Sequence, residues 1–305
     1  MSLIAITGAT GFVGSAVLDE ALAQGHQVRA LARRDQPARR GVVWVRGDLG
    51  DAAALAALVK GADAVIHVAG LTNTPDPAAF DTANVTGTAN VIAAMRGAGT
   101  GRLVFVSSLS ARKPELSAYG ASKAQAEALV EASGLDWTTV RPPGVYGPRD
   151  VDYLEMFRTA KWGFVPLPPG GASSIIHAAD LAALLVALAG GNAAATKKQI
   201  YEPDDGREGG WSHKELAAAI GWAVGRPSVF APHLPRAVLD AAAAADRLLR
   251  GDRAKLTADR VGYMAHPNWV SRFDRKPPPG IWQPLIAGEE GLKATADWYV
   301  REGWL

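Results

Sequence analysis

Leu3-Ile4-Ala5-Ile6-Thr7-Gly8-Ala9-Thr10-Gly11-Phe12-Val13-Gly14 is the most informative run in the chain. Its first four residues are apolar, as suits a strand buried on both faces. Three glycines follow, and residues 15–22 read as a helix. Strand, glycine turn and helix is the arrangement that cradles a dinucleotide diphosphate. Glycine lets the backbone approach the phosphates, and the helix amino terminus offers free N–H groups and a positive dipole end. The spacing is G-x-x-G-x-x-G, not G-x-G-x-x-G. Placement between strand and helix therefore carries the reading more than the glycine count does. Gly8, Thr10, Gly11, Phe12 and Val13 become the candidate diphosphate contacts.

Residues 27–32 read as a second strand, ended by Arg33-Arg34. In a dinucleotide fold an acid here reads a ribose 2′-hydroxyl, and an arginine accepts a 2′-phosphate. The pair points to NADP, with NAD as the alternative and a merely solvated Arg pair as the structural one. A third strand, residues 42–49, ends at Asp48 and Leu49, candidates for the adenine end. Asp48 reads equally as a cap on a loop or on the following Ala-rich helix near residues 52–60. A fourth, residues 64–70, ends in Val68, Ala69 and Gly70, small enough to admit a ribose and diphosphate. His67 reads as a core histidine.

A helix over 84–95, a strand over 103–108, a helix over 118–132 and a strand over 137–142 follow. This alternation predicts an α/β fold: a doubly wound, mostly parallel sheet with ligands at the carboxyl ends of its strands. The reading gives residues 1–145 to that domain, rejoined by about 172–200. Residues 146–305 form a smaller, mostly helical substrate lobe, where proline and glycine cluster and seven of the nine tryptophans fall after residue 160. Residues 234–256 are apolar with Arg236, Arg247, Arg250, Arg253 and Lys255 around them. We read them as a lobe helix with solvated cations, in preference to a membrane contact.

Composition narrows the chemistry. Apolar residues make up 48% and charged ones 20% of the 305, enough for a large core. The net charge of +2 gives no field suited to nucleic acid. With no cysteine, disulfides and thiolate chemistry are out, which fits a reducing, cytoplasmic setting. No histidine pair has ligand spacing, so no metal is expected.

The reactive groups come from Tyr119-Gly120-Ala121-Ser122-Lys123. Four residues apart on a helix, phenol and ammonium share one face. The charge is expected to lower the phenol pKa, so that tyrosine exchanges a proton with an oxygen whose charge changes during hydride transfer. Ser108, at the end of the fifth strand, is placed to hold the same oxygen.

Together, Thr7–Gly14 and Tyr119…Lys123 resemble the short-chain dehydrogenase/reductases, the extended epimerase/dehydratase branch in particular. The similarity extends to Gly47-Asp48-Leu49, Val65-Ile66-His67-Val68-Ala69, Asn84-Val85-Thr86-Gly87, Val106-Ser107-Ser108, Arg141-Pro142-Pro143-Gly144-Val145-Tyr146-Gly147-Pro148 and Ile176-His177-Ala178-Ala179-Asp180. The resemblance implies Tyr119 as acid/base, Lys123 also on the nicotinamide ribose, Ser108 on the substrate oxygen and Asn84 in support. It places Pro142 and Val145 near the nicotinamide, and it allows a homodimer. The expected activity is hydride transfer at a carbonyl or hydroxyl carbon of a small-molecule substrate. A sugar-nucleotide epimerase with retained cofactor is one alternative. A nucleotide-binding structural or redox-sensing subunit, like an accessory subunit of respiratory complex I, is another. The short 109–118 segment, with Leu109 and Ser110 following Ser108, counts against 4,6-dehydration.

Overall fold

Ile4 and Ile6 enter the core on one side of the first strand, and Ala5 enters it on the other. A strand with both faces covered needs helices above and below, and the chain supplies them. A computed structural model describes residues 2–191 and 194–305. Among these residues, seven strands form one parallel sheet. They are β1 (Leu3–Thr7), β2 (Gln27–Ala32), β3 (Val42–Arg46), β4 (Ala64–His67), β5 (Arg102–Val106), β6 (Asp136–Val140) and the strand Gln199–Tyr201. Their spatial order is Gln199–Tyr201, β6, β5, β4, β1, β2, β3. Successive strands run outward from β1 to β3, and the chain then crosses back to place β4 on the other side of β1. That reversal leaves a crevice at the carboxyl ends of β1 and β4, where doubly wound sheets take their ligands.

On one face, α1 (Phe12–Ala23) and the helix Ala178–Gly190 pack through Val17, Leu18, Leu181 and Leu185. On the other, the helices Ala52–Val59, Gly87–Ala98 and Ala118–Glu131 bury Leu55, Leu58, Val91, Met95, Ala126 and Val130. Each fully buried Leu, Ile or Val contributes about 1.5–3 kcal/mol relative to exposure. The helix expected over 84–95 differs at its start: Asp81–Thr86 is π-helical before the regular helix begins at Gly87. Single π turns often re-aim a side chain at a functional position, and here the re-aimed residue is Asn84.

The remaining residues make a smaller lobe. Its core gathers Tyr146, Phe157, Trp211, Ile220, Leu292 and Tyr299. Short strands at Ala172–Ser173, Trp211–Ser212 and Asn268–Trp269 form a three-stranded patch. The helix Arg236–Arg250 stands apart, burying only Leu239 and Ala243.

Candidate active site

At the first loop, Gly8 has φ +75°, and a Cβ there would lie 2.7 Å from the Ala69 nitrogen. A Cβ on Gly14 would lie 2.0 Å from the Gly8 carbonyl oxygen. Both positions therefore require glycine: one for its left-handed backbone, the other for close packing of helix on loop. Gly11 precedes α1 without offering a side-chain cap, so the first-turn N–H groups face the loop free for an anion. Ala9, Thr10, Gly11 and Phe12 line a cavity of 370 Å³ with Gln36, Arg39, Trp44 and Arg149. Asp19 holds the two cations, Arg39 at 2.7 Å and Arg149 at 3.3 Å. The cradle, the open helix end and the cations fit a dinucleotide diphosphate.

The adenosine-side candidates divide. Arg33 and Arg34 are exposed beyond β2. Asp48 does not cap the next helix. Its Oδ1 accepts from the Gly50 N–H at 2.8 Å, and Asp51 caps the helix by accepting from the Ala54 N–H. The helix cap lies three residues beyond Asp48 because Gly47-Asp48-Leu49-Gly50 first closes its own turn. Leu49 packs into the second core face, and its carbonyl accepts from Asn90 Nδ2.

At the end of β4, the Ala69 N–H donates to Thr7 Oγ1 at 3.1 Å. Thr7 Oγ1 lies 2.6 Å from His67 Nδ1, and His67 Nε2 lies 3.0 Å from Thr88 Oγ1. Thr88 donates in turn to the Asn84 carbonyl. With both hydroxyl roles set, the histidine donates from Nε2 and accepts at Nδ1. Burial, then the Lys123 ammonium, lower its pKa to about 3. His67 is thus a neutral core group that ties β1, β4 and the helix of Asn84 together. Asn84, 1% exposed, holds Leu71 through both its backbone groups and donates to Ser122 Oγ at 2.9 Å. Val68, Ala69 and Gly70 stay partly or wholly open above this network.

Ser108 lies two residues past the end of β5, and Ser117 caps the helix Ala118–Glu131 by accepting from the Gly120 N–H. Tyr119 and Lys123 are both buried on that helix. The Ser108 hydroxyl donates to Ser110 Oγ at 3.3 Å and sits near enough to the Tyr119 phenol to favour its ionised form. Lys123 Nζ donates to the Val106 carbonyl at 2.7 Å and lies 4.6 Å from the centre of the Phe105 ring. Burial lowers the lysine pKa to about 8, opposed by Glu127. The expected depression of the phenol pKa is not found. Burial raises it, the nearby Ser108 hydroxyl pulls it down, and Tyr263 and Asp152 add to the rise. The lysine charge is aimed at β5 rather than at the phenol oxygen. Pro142 is buried, with its carbonyl accepting from the Leu109 N–H, and Val145 packs on the first core face.

The lobe contributes groups that local patterns did not announce. Tyr263 sets its ring 6.0 Å from that of Tyr119, opposite Phe80 at 5.8 Å. Asp259 accepts from the N–H groups of Ala118 and Tyr119. These contacts join residues some 140 apart in the chain, and no spacing rule reaches that far.

The NAD(P)H-binding family model matches residues 8–191. The chain belongs to this family. It is 34% identical to the ceramide reductase of Caulobacter vibrioides, covering 99% of this chain and 96% of that one. It is 32% identical to the 2-alkyl-3-oxoalkanoate reductase of Stenotrophomonas maltophilia, over 95% and 97% of the two chains. Among solved structures, the Thermus thermophilus UDP-glucose 4-epimerase complexed with NAD shares its fold, with a TM-score of 0.70 at 22% identity over 98% and 99% of the chains. The chain is thus an NAD(P)-binding enzyme, oxidoreductase- or epimerase-like.

Proposed function

We propose that the enzyme reduces a ketone on a molecule bearing an alkyl chain, with NADPH as the reductant and Tyr119 as the proton donor. The observation that carries this reading is Tyr119 buried on the helix Ala118–Glu131, with buried Lys123 one turn on and Ser108 near enough to favour the phenolate. The two full-length reductase relatives support the substrate class, since both a ceramide and a 2-alkyl-3-oxoalkanoate carry alkyl chains. The epimerase alternative rests on shared fold alone.

Gly8, Thr10, Gly11, Phe12 and Val13 would hold the diphosphate, Asp48 and Leu49 the adenine, and Arg33 and Arg34 a 2′-phosphate. Val68, Ala69 and Gly70 would lie along the riboses, with Pro142 and Val145 beside the nicotinamide. That ring would supply the hydride. The chain's own residues do the rest. Ser108 orients the carbonyl oxygen by hydrogen bonding. Tyr119, kept protonated by burial, gives its proton to the alkoxide as charge develops there. Lys123 would reach the nicotinamide ribose from the same helix face. Asn84 fixes the Gly70–Leu71 turn against the catalytic helix.

Tyr119→Phe tests the proposal, with NADPH consumption measured on 3-oxoalkanoate esters of increasing chain length. Turnover should fall by about 10²- to 10⁴-fold, while NADPH binding, read by fluorescence, persists. Unchanged turnover in Tyr119→Phe would remove the phenol from the mechanism.

A further inference from the structure

The helix Arg236–Arg250 is amphipathic in an unusual sense. Its charged residues, Arg236, Asp240, Asp246, Arg247 and Arg250, fall on the side that contains the buried Leu239 and Ala243. The opposite side carries Val238, Ala241, Ala242, Ala245, Leu248 and Leu249, all exposed. Leu248 and Leu249 are 87% and 82% accessible. The exposed side is therefore apolar along the whole helix, whereas a solvated helix shows its charges there. The helix cations are solvated, as expected from the sequence, but the apolar side is solvated as well.

We infer that this face docks on an anionic lipid surface and brings the site to an alkyl-chain substrate held there. Charge favours a lipid occupant. Residues 236–255 contain five cationic and three acidic side chains. Arg247 and Arg250 bracket the two exposed leucines, and among the described residues Arg247 has no carboxylate partner. The same lobe exposes Trp162 at 82% and Phe230 at 70%, beside Lys161 and Arg226, whose Nε donates to the Lys161 carbonyl. Apolar groups bordered by cations are the composition of an interfacial segment. A protein partner is favoured by large aromatic anchors at the centre of the patch, and this face is mostly alanine. Lipid chains adapt to any apolar outline. Among the described residues no helix is long and apolar enough to cross a membrane, so the contact would be peripheral.

Location ties the face to the chemistry. Asn73 Nδ2 donates to the carbonyls of Ala254 and Lys255, just past the helix, and the Thr257 hydroxyl donates to Asn73 Oδ1. The loop 71–77 follows Gly70 at the open end of β4. The next helix, Ala258–Met264, carries Tyr263 against Tyr119. The proposed docking face is thus one element away from the reacting phenol.

The inference takes its substrate class from the reductase reading, but docking itself needs no turnover. Flotation of the full chain with phosphatidylglycerol/phosphatidylcholine vesicles at low salt tests it directly. The wild type should rise with these vesicles and bind less to phosphatidylcholine alone. The Leu248→Glu/Leu249→Glu variant should lose about tenfold or more of its vesicle partitioning, with an unchanged Tm because both side chains are exposed. Wild-type protein that stays at the bottom of the gradient overturns the inference, as does a double variant that floats normally. Sedimentation velocity supplies a further check. A concentration-dependent dimer abolished by the same substitutions, without flotation, would assign the face to a second copy and sink the lipid proposal. Flotation without NADPH-dependent ketone reduction would keep the docking and defeat the reductase reading.

Discussion

Two helices rich in small apolar residues meet different fates in this molecule. In α1, Val17, Leu18 and Ala21 are sealed between the sheet and the helix Ala178–Gly190. In the helix Arg236–Arg250, only Leu239 and Ala243 find cover, and the alanine-rich side is exposed. Both sequences form helices for the same local reason, because alanine and leucine lose little on becoming helical. Local propensity sets the helix, and the supply of neighbouring surface sets which face is buried. The contrast separates a part of the fold whose role is internal from one whose role is outward.

Substitutions at the two helices should expose this difference. In α1, Gly14→Ala puts a methyl against the Gly8 carbonyl, with backbone on both sides and no room to yield. We expect a loss of about 3 kcal/mol and no thermal shift from NADP, measured by denaturation and by ligand titration. A stable variant that still binds NADP would show that the loop opens more readily than its packing indicates.

A second test uses the neutral His67 that braces β1 and β4. Its folded pKa of about 3 lies below the ordinary 6.5, so below pH 6.5 the unfolded chain takes up a proton that the folded chain refuses. This histidine should cost stability as pH falls, by about 1.4 kcal/mol per unit, or about 2 kcal/mol at pH 5. Asp150 in the lobe acts in the opposite direction. Burial raises its pKa from 3.8 to about 7, so folded protein binds the extra proton and gains stability as pH falls through that window. The diagnostic is the difference in slope between wild type and His67→Gln from pH 6.5 to 5. Parallel slopes would mean that His67 titrates in the folded state.

Asp259→Ala tests the lobe's hold on the helix Ala118–Glu131. Removing an acceptor and a negative charge from the N–H groups of Ala118 and Tyr119 should cost about 1 kcal/mol and lower kcat with little change in NADPH affinity. Equal kcat would show that Tyr119 is positioned without the lobe. The smallest effect is expected at Ala241→Leu on the exposed helix face, within about 0.5 kcal/mol of wild type in chemical denaturation. A large loss there would mean that the face is covered in solution, which a second copy of the chain would explain.

Much of the candidate site was readable from short-range patterns. Gly8 and Gly14 mark the loop because each occupies a position where backbone geometry or contact leaves little choice. Tyr119 and Lys123 were paired by helical spacing, and His67 by its place inside an apolar strand. Of the two caps open to Asp48, a loop or the next helix, it takes the loop at Gly50, because Asp51 stands one turn nearer the helix and takes its N–H. The error at the phenol also has a physical origin. The Tyr119 pKa was expected to fall because a lysine lies four residues away. Sequence distance gives a shared face, however, and not the direction of a flexible ammonium, which bonds to Val106 instead.

The amino-acid order by itself determined the strand–loop–helix unit, the alternation that builds a parallel sheet, and the residue types able to bind a dinucleotide and move a proton. These depend on backbone geometry and on periods of a few residues. Only the tertiary structure decided that Tyr263 and Asp259 lean on the helix Ala118–Glu131, that Asp19 gathers Arg39 and Arg149 at the first loop, and that the helix Arg236–Arg250 turns its apolar side outward. Those outcomes depend on which distant surfaces meet, a competition among the many packings open to amphipathic elements that no local rule resolves.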